Sequence, residues 1–153
     1  MLCLLYIDAA PALSPSGEIH VCLGESLTFT CWVPHQPSLP RIEWRVHFEE
    51  SLSLSNVLQS YISSDPVGQI QRDHRSGYSF VFNLTSSSTS FLVSTMMVTV
   101  DANSSMMISS ASVNCGQQPS EWAVLHVFHG TKRNLYQFGC YRSWWQVFKM
   151  ILE

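Results

Sequence analysis

Charge is what this chain has least of. Lys, Arg, Asp and Glu make up 12% of its 153 residues, about half the share usual in soluble domains. Eight basic and eleven acidic groups leave a formal charge of −3, which excludes the dense basic face of a nucleic-acid binder. No run approaches the roughly 18 consecutive apolar residues of a membrane helix, so no span is expected within the chain. The C-terminal stretch from Trp144 and Trp145 to Leu152 is too short and holds Lys149. CxxC pairs are missing, and with them the zinc knuckle and the thioredoxin-type redox site. So are GxSxG, HExxH and the Gly-rich phosphate loop.

Hydroxyl groups fill the space that charge leaves. Ser and Thr together supply 24 + 7 = 31 of the 153 residues. Hydrophobic residues are 46%, with five Trp and eight Phe, enough apolar bulk to exclude intrinsic disorder. The little charge present is unevenly placed. Residues 1–130 carry 4 basic and 10 acidic groups, a net of −6; residues 131–153 carry Lys132, Arg133, Arg142 and Lys149 against Glu153, a net of +3. Three segments follow. Residues 1–16 read as a partial secretory signal or a disordered or strand-like end, with an apolar start but no basic residue and with Asp8 inside it. Residues 17–130 read as the domain. Residues 131–153 form a basic aromatic tail with no clear period, expected to be poorly ordered.

The five cysteines, Cys3, Cys22, Cys31, Cys115 and Cys140, are widely spaced. Two sequons, at Asn83 (Asn83-Leu84-Thr85) and Asn103 (Asn103-Ser104-Ser105), are acceptors for N-glycosylation in a secreted chain. Together these point to an oxidising compartment: secretion, or the extracellular side of the plasma membrane.

Between residues 17 and 130 the apolar period is two, not 3.6. Leu27, Phe29, Cys31 and Val33 point one way, and Thr28, Thr30 and Trp32 the other. Ile42, Trp44, Val46 and Phe48 share a buried face, with Glu43, Arg45 and His47 behind them. Tyr78, Phe80, Phe82 and Leu84 form a third apolar row, with Asn83 facing away. Leu92, Met96, Val98 and Val100 form a fourth, and Ala111, Val113 and Cys115 a fifth. Residues 18–22 and 57–62 are shorter strands; residues 122–128 are a strand without a legible phase. Gly24-Glu25, Asp65-Pro66 and Ser76-Gly77 are turns. Seven or eight strands, each with one apolar face, predict an all-β fold: a two-sheet antiparallel Greek-key sandwich.

Three of these residues carry a resemblance. Gly24-Glu25-Ser26-Leu27-Thr28-Phe29-Thr30-Cys31 resembles the second strand of an immunoglobulin domain. Trp44 follows 44 − 31 = 13 residues later, like the tryptophan of the third strand. Cys115, after Ala111-Ser112-Val113-Asn114, matches the cysteine of the sixth. The resemblance covers about residues 17–130 and implies a Cys31–Cys115 disulfide between the sheets with Trp44 packed beside it. The stretch Val21-Cys22-Leu23-Gly24-Glu25 is similar to the cysteine-bearing lead-in of immunoglobulin-like domains on invertebrate cell surfaces. Departures are Val113, where the family usually has tyrosine, and Ser109, where it has an acid. Cys22 is left to pair with Cys140, to pair outside the chain, or to stay free.

Candidate sites beyond these are few. His126 and His129, at i and i+3, face opposite sides of a strand. His20 and Cys22 share a face but lack further ligands. No metal or cofactor is therefore expected, and calcium is disfavoured by the scatter of the acids. Asp73-His74 with a distant serine is a triad that any Ser-rich chain permits, so an enzyme is the remote alternative. Trp32, an indole on a wet face, marks a possible recognition surface. The expected function is a non-catalytic recognition or adhesion module of a cell-surface or secreted glycoprotein, with a protein or glycan ligand. The alternative is a spacer domain of a larger receptor.

Overall fold

The computed structural model describes residues 12–34, 40–48, 56–101, 108, 110–116 and 122–128. These form ten strands: β1 (Ala12–Ser14), β2 (Gly17–Cys22), β3 (Ser26–Pro34), β4 (Arg41–Phe48), β5 (Asn56–Ile62), β6 (Ile70–Arg75), β7 (Tyr78–Ser87), β8 (Phe91–Val100), β9 (Ser110–Asn114) and β10 (Ala123–Phe128). No helix occurs among the described residues. The strands make two five-stranded sheets, ordered β1-β3-β8-β7-β6 and β2-β10-β9-β4-β5. All pairings are antiparallel except β2 with β10, which is parallel. The fold is the expected β-sandwich.

Each strand turns one apolar face inward, because the side-chain period of a strand is two. In the first sheet the buried set includes Phe29, Cys31 and Val33 on β3, Tyr78, Phe80, Phe82 and Leu84 on β7, and Leu92, Met96, Val98 and Val100 on β8. The second sheet answers with Ile42, Trp44, Val46 and Phe48 on β4, Ala111 and Val113 on β9, and Ala123, Leu125 and Val127 on β10. An aromatic column crosses between the layers. Tyr78, Phe80 and Phe82 stack along β7 at 6.2 Å intervals, with Phe48 5.7 Å from Tyr78 and Trp44 6.4 Å from Phe82. Burying each such side chain stabilises by roughly 1.5–3 kcal/mol.

Two features lie outside the apolar rows. β6 is polar and almost wholly exposed, yet it pairs with β7 through the two-residue turn Ser76-Gly77. Both turn residues have positive φ, 54° and 83°, the backbone a tight hairpin with right-handed twist demands. At the other end of the sheet, β1 pairs with β3. The sandwich thus takes in residues upstream of Gly17. Of the N-terminal segment, residues 1–11 lie outside the described set, as does the whole tail 131–153.

Candidate functional site

The interior holds a covalent staple. Cys31 on β3 and Cys115, just past β9, are disulfide-bonded, with their α-carbons 6.3 Å apart and 84 residues between them in sequence. Both are fully buried, and so is Trp44. The indole N–H of Trp44 donates to Ser94 Oγ at 2.9 Å. Ser94 in turn donates to the Asn83 carbonyl at 2.8 Å. Ser94 stands opposite Cys31 in the β3–β8 register, so the hydroxyl sits beside the staple. The period-two pattern of β8 skips Ser94, since a serine in an apolar row gives no hydrophobic signal. Its role is legible only once a buried indole needs an acceptor.

The outward face of the first sheet is apolar and hydroxylated. Trp32 is 37% exposed and lies between Ala12 and Val93 in register. Along β8 the same face carries Val93, Thr95, Met97 and Thr99. Met97, 38% exposed, pairs with Thr28 on one side and Val81 on the other. Asn83 is on this face too, in register with Thr95 and Ile70. Its side chain is half-buried and its Oδ1 has no hydrogen-bond partner. Thr85 of the same sequon donates to the Val93 carbonyl at 3.0 Å. The second sequon residue, Asn103, lies outside the described residues.

The outward face of the second sheet is charged. Glu43 bonds Arg45, and Arg41 Nε lies 3.1 Å from its other oxygen; this is the same-face pairing expected of Glu43 and Arg45. His20 and His126 stack across the parallel β2–β10 pair at 5.3 Å, with Glu18 3.9 Å from His126 Nε2. His129 lies outside the described residues. Among the described residues no group of three or more His, Cys, Asp or Glu is placed to hold a metal. Among the described residues there is no helix long and apolar enough to cross a membrane.

A shallow depression of about 310 Å³ opens on the first sheet beside β6, lined by Arg72, Asp73, His74, Ser79, Phe80 and Val81. Ser79 and His74 are register partners there, and His74 Nε2 is 3.6 Å from Asp101 Oδ2. Asp73 pairs instead with Arg75 at 3.3 Å and accepts the His74 backbone N–H. No side-chain hydrogen bond joins Ser79 to His74 among the described residues.

Burial pushes two phenols up. Tyr78, whose hydroxyl donates to the Ile108 carbonyl, is raised to about 12 by desolvation. Tyr61 is raised to about 12 by desolvation and then by the charge of Asp65. Both are core groups away from the outward faces. No family model matches the chain, and a search of curated proteins found no match.

Proposed function

We propose that this chain is an immunoglobulin-like recognition domain of the extracellular side, part of a cell-surface or secreted glycoprotein, and that it works without catalysis. The disulfide-stapled sandwich with Trp44 beside the staple supports the family, through the same three residues that carry the sequence resemblance. The observation that carries the recognition reading is the exposed Trp32 in an uncharged strip with Val93, Met97 and Val81. An indole half out of water is a costly surface residue, and tryptophan is enriched where binding energy concentrates. A strip that crosses three strands fits a protein ligand better than a single sugar.

The test is cell binding by a soluble multimer of the domain. Trp32→Ser is expected to weaken binding at least about tenfold, the loss of one anchor of about 1.4 kcal/mol or more. Val57→Ser, on the outward face of the other sheet, is expected to leave it unchanged. Equal binding by the Trp32 variant overturns the assignment of the face. Binding to no cell type at all favours the spacer reading, which the sequon at Asn83 on the same face also supports.

A further inference from the structure

Asn83 stands where a sequon is hard to reach. It lies inside β7, which pairs with β6 on one side and β8 on the other, and its register partners are Ile70 and Thr95. Its side chain is half-buried, and its Oδ1 is shut off from solvent without a hydrogen-bond partner. Its carbonyl accepts the Ser94 hydroxyl at 2.8 Å, and Ser94 also holds the buried Trp44 indole. The last residue of the sequon is engaged as well: the Thr85 hydroxyl donates to the Val93 carbonyl at 3.0 Å. The register shifts between Leu84 and Ser86, which leaves Thr85 without a partner residue on β8.

Attachment of an N-linked sugar needs the reverse of this arrangement. Asparagine Nδ2 attacks the anomeric carbon of a lipid pyrophosphate-linked oligosaccharide. A C–N bond forms, and the C–O bond to the pyrophosphate breaks. The lipid pyrophosphate leaves with the electron pair, and one amide proton passes to a base on the transferase. The acceptor is defined by its hydroxyl as well as its amide, so both must reach the transferase together. In the folded domain that means parting β7 from β6 and β8 and pulling Asn83 off Ser94. Interior strands open only at free energies that approach global unfolding, a state held by about one molecule in 10³–10⁶. A growing chain has no such barrier. Thr95 follows Asn83 by 95 − 83 = 12 residues and Cys115 by 115 − 83 = 32. At roughly 5–20 residues per second, the second half of the staple is made about 2–6 s after Asn83.

We propose that Asn83 takes its glycan only before β7 pairs with β8, so that the outward face bearing Trp32 is set as bare or sugared while the chain folds. The folded domain keeps whichever face it was made with. This timing rests on the reading of the chain as a secreted or cell-surface glycoprotein.

Transfer in vitro to the unglycosylated full chain, with purified oligosaccharyltransferase and a lipid pyrophosphate-linked oligosaccharide, tests it. One sample is the folded, oxidised protein. The other is the same chain reduced and alkylated, whose enlarged Cys31 and Cys115 side chains no longer fit the closed interior. Cleavage at Met96 and Met97 separates the peptide of Asn83 from that of Asn103, and the mass of each reports its sugar. The expected result is transfer to Asn83 in the alkylated chain, and transfer at least about tenfold slower in the folded one. A smaller ratio overturns the timing and leaves the glycoprotein reading standing. No transfer to Asn83 in either sample overturns both.

Discussion

Ser94 is the perturbation that reports most directly on how the core is built. It accepts the Trp44 indole N–H and donates to the Asn83 carbonyl, and both Ser94 and Trp44 are fully buried. Ser94→Ala removes one oxygen and strands a donor that water cannot reach. A buried unsatisfied donor costs about 1–3 kcal/mol, and the lost bond to the carbonyl about 0.5–1.5 more. Removing the desolvated hydroxyl returns part of this, which leaves a net loss of about 2 kcal/mol. Trp44→Phe costs about the same for a different reason: it keeps Ser94 bonded to Asn83 but opens a void beside the staple. In the double variant no donor is stranded, so its cost is expected to fall about 1–2 kcal/mol short of the sum. Urea unfolding followed by far-UV circular dichroism, with disulfides intact, measures all four corners of the cycle. Additivity within about 0.5 kcal/mol would show that Ser94 does not serve the indole, and the account of the core would fail.

Two further outcomes follow from the same interior. Closing 84 residues lowers the entropy of the unfolded chain by the equivalent of about 4.5 kcal/mol, so Cys31→Ala with Cys115→Ala is expected to lower the urea midpoint by that much stability; a loss under about 1 kcal/mol refutes the estimate. Tyr61 and Tyr78 lie at about 12 in the folded protein against about 10 unfolded. The unfolded chain therefore gives up these protons first. The stability they contribute is whole below pH about 10 and is lost as pH rises through 12, on the order of 2–3 kcal/mol for each phenol. Alkaline unfolding curves of the wild type and of Tyr61→Phe with Tyr78→Phe check this, and equal pH dependence in the two proteins would contradict it.

The parts of the fold that were readable share one property: a face on which every second residue is apolar. β3, β4 and β7 announce themselves this way, and their inward rows are buried as the alternation requires. β10 hides its phase because Ala123, Val124, Leu125 and Val127 are apolar on both sides, and only packing selects Ala123, Leu125 and Val127 for the interior. β6 is invisible for the opposite reason. Its sequence Ile70-Gln71-Arg72-Asp73-His74-Arg75 has no buried face to encode, as befits a charged strand at a sheet edge. The parallel pairing of β2 with β10 is a long-range choice without a local signature. At the candidate site, Trp32 was legible from its parity on β3. Ser94 was not, since hydrogen bonding between sheets leaves no trace in a hydrophobic pattern.

Parity also ties together two features that the sequence presents as unrelated. Asn83 and Trp32 occupy the same outward face: Asn83 pairs with Thr95, Thr95 with Thr30, and Trp32 lies two residues beyond Thr30. Two strand spacings and one two-residue step separate them by about 12 Å. A glycan on Asn83 would rise beside the indole and occupy the approach to it, because N-linked sugars are bulky and strongly hydrated. A ligand of Trp32 must then either contact that glycan or arrive from the β1 side, over Ala12. The recognition and spacer readings therefore differ in what happens at one amide: bare, it leaves the strip from Trp32 to Val81 open, and glycosylated, it divides that strip. On the second sheet's outward face, which carries the Arg41, Glu43 and Arg45 cluster on β4 and the stacked His20 and His126 on β2 and β10, the described strands carry no sequon. Asn83 stands on the other sheet, so a glycan there leaves the charged face of β4, β2 and β10 untouched.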